Sequence, residues 1–141
     1  MLPTQRSLEL LRRSGWRVCV VEQKVHIPGK GPFVKVTRDA FGFGDLLAIR
    51  EGIPGAFMVQ VTVRSHTNDH ITKVMDDTME TRKGERVPNK IRDNLIVWLR
   101  AGNRFEIYGW FKKKEVWTYR RTIFDYHGNH TLAWRDEEPE L

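Results

Sequence analysis

Two compact apolar segments constrain this chain more than any other feature. Residues 45–50 (Asp-Leu-Leu-Ala-Ile-Arg) and 56–63 (Ala-Phe-Met-Val-Gln-Val-Thr-Val) flank the turn Glu51-Gly52-Ile53-Pro54-Gly55. Their length and spacing predict a β-hairpin. Both strands are too apolar to present a face to water, so the sheet that holds them must be covered on both sides. The chain has 141 residues, one domain's worth, and that size supports a real core without staples.

The flanking pattern supplies the cover. Residues 7–15 read as a short helix, with Ser7 as cap, Leu8 and Leu11 on one face and Gly15 after its end. Residues 16–21 read as a strand, 28–32 as a loop, 33–37 as a short strand and 38–44 as a loop. Ile71, Val74, Met75 and Met79 predict a helix between 68 and 81, which the polar stretch 83–89 ends. Ile91, Leu95, Trp98 and Leu99 predict a second helix closed by Gly102. Residues 104–110 and 115–124 alternate as strands. Leaving aside the short 33–37 strand, the order is helix, three strands, two helices, two strands: an α/β or α+β domain around a mixed sheet. A single domain over 1–134 is expected, followed by a frayed acidic tail, 135–141.

Composition removes several classes. The one cysteine, Cys19, forms no internal disulfide and excludes zinc sites built on several thiolates; among Val18, Val20 and Val21 it reads as a small buried apolar group. No run of about 18 apolar residues exists, and the mean hydropathy is −0.53. No membrane partner and no secretory signal are expected, which places the chain in the cytoplasm. The glycines match no dinucleotide or phosphate-loop fingerprint. The charge is +6 overall, from 24 Lys and Arg against 18 Asp and Glu. Four of those acids and one of the bases lie in 135–141, which leaves 23 against 14, or +9, on 1–134. A basic body of this kind suits a polyanion such as nucleic acid.

The unusual chemistry falls in the same two strands. Asp45 opens the first, and Gln60 and Thr62 interrupt the second from one face. In a hairpin Asp45 and Gln60 approach one another. A carboxylate, an amide oxygen and a backbone carbonyl are hard ligands, suited to Mg²⁺ or Mn²⁺; the same residues also suit a strand cap and a solvent face.

An acid opening one strand, followed by an acid-x-Lys triplet on the next, marks the PD-(D/E)xK nuclease superfamily. The stretch Thr37-Arg38-Asp39-Ala40-Phe41-Gly42-Phe43-Gly44-Asp45-Leu46-Leu47-Ala48 with Val59-Gln60-Val61-Thr62 resembles a phage and bacterial branch of it. Trp98-Leu99-Arg100-Ala101-Gly102 and Gly109-Trp110 match a helix end and a strand of that branch. The resemblance covers roughly 5–120. It implies a restriction-endonuclease-like αβββαβ core and a metal-dependent endonuclease acting on branched DNA, like a Holliday junction resolvase, usually a homodimer. It also implies a metal site of Asp45, the Val61 carbonyl and Gln60 at the place of the second acid, with Glu9 as an extra acid.

Two departures follow. Gln60 carries no charge, and Thr62 stands where the family has lysine and cannot offset charge developing on a phosphorane. Lys35, Arg64 or Lys73 could reach in from neighbouring elements, with Lys73 and Arg38 as helpers. A nuclease fold that retains only DNA affinity is the alternative.

Other features carry less. His127 and His130 lack a third ligand, and His66 and His70 fall across a loop–helix junction. Trp110, Lys112, Lys113, Lys114, Trp117, Tyr119, Arg120 and Arg121 interleave rings and cations. Either they hold DNA through stacking and phosphate contacts, or the rings pack on a helix and the lysines fill a hairpin turn.

Overall fold

The structure, a computed structural model, describes residues 1–26, 29, 31 and 35–139, without the side chains of Lys35 and Val36. Its elements in chain order are α1 (Pro3–Arg13), β1 (Arg17–Val20), β2 (Gln23–His26), β3 (Lys35–Arg38), β4 (Leu46–Arg50) and β5 (Ile53–Val63). A 3₁₀ turn, Arg64–His66, leads into α2 (Thr67–Met75), β6 (Thr78–Glu80), β7 (Arg86–Pro88) and α3 (Lys90–Arg100). The chain then closes with β8 (Arg104–Lys113), β9 (Val116–Tyr126) and β10 (Leu132–Glu137).

A six-stranded mixed sheet in the order β1-β4-β5-β8-β9-β10 forms the centre. The expected hairpin is β4 and β5, paired antiparallel with Leu46 opposite Val59. β5 and β8 run parallel, with Gln60 opposite Ile107 and Val63 opposite Trp110. Alternation along β5 sends Phe57 and Val59 to a core with Leu10, Leu11 and Trp16 of the α1 side. Met58 faces the other way, into a core with Ile71, Val74, Leu95 and Ile96 of α2 and α3. The sheet is therefore covered on both faces, as its apolar strands require. Among the described residues no helix is long and apolar enough to cross a membrane.

Five expectations need correction. Ser7 does not cap the first helix: α1 starts at Pro3, and Ser7 lies buried inside it, its hydroxyl donating to the Pro3 carbonyl at 2.9 Å. The helix predicted over 68–81 stops at Met75. Asp76 turns extended there, and Met79 continues the helical spacing only by coincidence, on a β6–β7 hairpin. Residues 135–137 are not frayed: they complete β10, where Asp136 accepts from Thr122 Oγ1 at 2.8 Å and meets Arg120 at 3.0 Å. The acids thus pair with the cations of β9. Cys19 is exposed on β1, which is an edge strand of the sheet. The 33–37 strand begins later, at Lys35, and pairs with β2, which the sequence reading missed; residues 33 and 34, and residues 28, 30 and 32 of the 28–32 loop, lie outside the described residues.

Gly109 sets the height of α2 over the sheet. A Cβ there would land on Thr67 Oγ1, and 3.2 Å from Arg64 Cα. Thr67, fully buried, opens α2, so the helix starts in contact with β8 backbone. Gly109→Ala should destabilise the protein by about 1–3 kcal/mol, read as a lower urea midpoint; an unchanged midpoint would contradict this packing.

Candidate active site

The site forms where β4 begins and β5 nears its end. Asp45 precedes β4, and its backbone is fixed on both sides: its N–H donates to the Val59 carbonyl at 3.0 Å, and its carbonyl accepts from Val21 N–H at 2.8 Å. The Asp45 side chain, 5% exposed, accepts from Gln60 Nε2 at 2.6 Å and from Val61 N–H at 2.8 Å. The expected approach of Asp45 and Gln60 is present. The Val61 contact that the structure gives is through its N–H.

Two further acids join that the sequence did not single out. Ligand oxygens of Glu22, Asp39 and Asp45 lie within 4.8 Å of one another. Glu22 follows β1, and Asp39 follows β3 at the start of a loop closed by the Ala40–Gly44 bridge. That loop packs closely, since a Cβ on Gly44 would strike Met58 Sδ. One signal for Asp39 was available: an acid just ahead of a Gly-x-Gly loop that runs into Asp45. Glu22 had none, because only β1–β4 pairing brings it near.

Lys73 reaches this cluster from α2. Its Nζ lies 3.2 Å from Asp39 Oδ2 and 3.4 Å from Gln60 Oε1. Gln60 thus bridges Asp45 and Lys73, with its amide nitrogen toward the acid and its oxygen toward the cation. Asn89, the N-cap of α3, holds the other side of this helix. It is 3% exposed, and its amide donates to the Lys73 and Asp76 carbonyls, both at 2.8 Å. His70, one helical turn before Lys73, borders the same group. Burial first, then the Lys73 cation, holds its imidazole below the ordinary value.

The remaining expected residues whose side chains are described make no hydrogen bond or ion pair with this cluster. Glu9 is exposed on α1, against the opposite sheet face from Gln60. Thr62 is half-buried on β5 opposite Gly109. Arg64 stacks on Phe111, its Cζ 4.1 Å from the ring centroid. Arg38 ends β3 and is exposed, and the Lys35 side chain is outside the described residues. Lys112 and Lys113 end β8, and Lys114 forms its turn with Glu115, both at positive φ (49° and 63°) as a type I′ turn requires.

Burial is the main reason that Asp45 holds its proton far above the usual carboxylate range, up to about 8. A hydrogen bond with Asp39 and the charges of Asp39 and Glu22 add to this, against the Val61 N–H. Three carboxyl groups in so small a space create a demand for positive charge beyond Lys73. The donor set, all oxygen and mostly carboxylate, fits a hard divalent cation such as Mg²⁺ or Mn²⁺. No family model, no curated protein and no solved structure matches this chain significantly.

The raised value has a stability consequence. A carboxyl held protonated by the fold stabilises it most at low pH, and that contribution is lost as pH rises from about 4 to about 8. In EDTA, Asp45→Asn should match the parent protein near pH 4. At pH 8 it should exceed the parent by about 2 kcal/mol, measured by urea unfolding. A variant less stable than the parent at pH 8 would contradict the burial of an uncompensated acid.

Proposed function

We propose that the chain is a metal-dependent endonuclease acting on branched or structured DNA, of the Holliday-junction-resolvase kind. One observation carries this reading. Lys73 Nζ meets Asp39 and Gln60, the residue that hydrogen-bonds Asp45, and in this reading α2 supplies the cation missing at Thr62. The expected order of helix, three strands, helix and strand has its counterpart in α1, β1, β4, β5, α2 and β8, with β2–β3 and β6–α3 as insertions. The +9 body supports a polyanionic substrate.

In this reading Asp45 would hold the metal together with Asp39 and Glu22, which would stand in for the acid absent at position 60. Bound there, Mg²⁺ or Mn²⁺ supplies Lewis acidity toward a phosphate oxygen. Gln60 and the Val61 N–H orient Asp45. The Lys73 ammonium presents positive charge where negative charge grows on phosphorus, an effect worth about 10²–10³ in rate for one preorganised donor. His70, neutral at pH 7, adds no competing cation.

A second reading has a specific basis. The Gln60 amide already occupies Asp45, and Asp39 already occupies Lys73, so the chain could retain DNA affinity without cleavage. A panel of four-way junction, flap, duplex and single strand, with and without Mn²⁺, separates the two. Cleavage of the junction only with metal is expected. Asp45→Asn should lower that rate by at least about a thousandfold while binding without metal stays level, because Asp45 already holds its proton near pH 7. Lys73→Ala should cost about a hundredfold, and Gln60→Glu should lower the metal concentration needed. Asp45→Asn cutting at the parent rate would overturn the nuclease reading; salt-sensitive binding with no cleavage of any substrate would favour the binding module.

Affinity itself should be electrostatic and indifferent to sequence. On duplex DNA the slope of log K against log salt should be about −0.9 for each phosphate contact. A flat salt response would contradict a basic binding surface.

A further inference from the structure

The β8–β9 hairpin extends beyond the end of β5. Val63, the last residue of β5, pairs with Trp110, while β8 continues to Lys113 and returns through Val116 and Trp117. The row of Lys112 and Trp117 is five residues past Ile107, the partner of Gln60, or about 16 Å along the strand. The hairpin tip therefore projects from the same end of the sheet that carries the Asp45–Lys73 group.

Its two faces differ. Phe111 carries the stacked Arg64. On the other face Trp117 follows Tyr119 and Trp110, whose rings belong to the α1-side core. Trp117 remains 42% exposed. Arg6 of α1 lies over its ring, Cζ 4.0 Å from the centroid, and Lys112 Nζ is 5.8 Å away. The ring holds Arg6 in place of a hydrogen bond, for Arg6 Nε is buried with no such partner among the described residues.

Beside this ring is a cavity of about 440 Å³ lined by Leu10, Arg13, Trp110, Trp117, Thr118 and Tyr119. Among the described residues three aromatic rings and one exposed cation line it and no carboxylate does, while Lys112 at its edge pairs with the exposed Glu115 at 3.6 Å. Flat apolar walls with a positive rim match a nucleobase and its phosphate. A paired base within a duplex is closed off by its neighbours and cannot enter.

We infer that this cavity is a stacking site for an unpaired nucleobase of the DNA, with Trp117 as the platform and Arg13 and Lys112 toward the flanking phosphates. The inference rests on the nucleic-acid reading above and narrows it. The substrate carries a splayed or unpaired strand at the branch. The hairpin stands between the two strands, one directed to the Asp45 face and the other to the α1 face. Neither the metal site nor cleavage is needed for the cavity to act.

The test is equilibrium binding in EDTA, at fixed salt, to a blunt duplex and to the same duplex with an unpaired arm. The arm carries 2-aminopurine. The intact protein should bind the armed DNA about tenfold tighter than the duplex and quench the 2-aminopurine. Trp117→Ala should remove both the preference and the quenching. Trp117→Phe should retain most of each, which distinguishes stacking from loss of folding. Lys113→Ala, outside the cavity, should weaken both DNAs alike. A parent protein with no preference for the armed DNA, or Trp117→Ala that weakens both DNAs equally with the quenching intact, would overturn the proposal. Junction cleavage without such a preference would leave the nuclease reading standing and remove only this site. Preference and quenching with no cleavage under Mn²⁺ would do the reverse. Binding to neither DNA would remove both.

Discussion

Parallel pairing of β5 with β8 is the constraint from which the site geometry follows. Two parallel neighbours cannot be joined by a tight turn, so the chain must leave the end of β5, cross one face and re-enter at the start of β8. α2 and α3 are that crossing, and they cover the face to which Met58 points. The first helix after β5 must begin at its C-terminal end, where Gln60 and Val61 engage Asp45. A lysine on that helix is thereby carried to the acids. Without the crossover, Asp45 and Gln60 would be two polar groups at the end of a hairpin.

Burial then makes the group chemically unusual. Asp45 has two hydrogen-bond donors and one neighbouring cation at one remove, against two further carboxyls. Elsewhere the fold neutralises buried acids directly. Glu106, 1% exposed, meets Arg121 at 2.6 Å and Arg104 at 2.8 Å. The contrast between Glu106 and Asp45 lies in compensation rather than burial, and it distinguishes a structural ion pair from a site with unmet demand for charge.

The parts of the fold legible in sequence were those where hydrophobicity dominates. β4, β5, β8 and the two long helices α1 and α3 announce themselves through apolar runs or periodicity. β2, β6 and β7 are three or four residues long and largely exposed, so they carry no such pattern. β10 was hidden by its charges, which pair with β9 rather than with water. In the site, Asp45 and Gln60 were legible because strand alternation and a short turn fix their separation, and Lys73 because a helix follows at once. Asp39 and Glu22 depend on how a loop folds back and how an edge strand docks. Both are tertiary facts; Asp39 left only the faint signal of an acid ahead of a Gly-x-Gly loop, and Glu22 left none.

Placing the lysine on a helix rather than on β5 has a thermodynamic consequence. α2 is fastened at its start, where Thr67 meets Gly109, and near its end, where Asn89 grips the carbonyls of Lys73 and Asp76. The backbone that bears the cation is therefore immobilised when the protein folds. Only the four-carbon side chain retains rotational freedom, and Asp39 and Gln60 already restrict it, so most of the ordering entropy of the cation is met on folding.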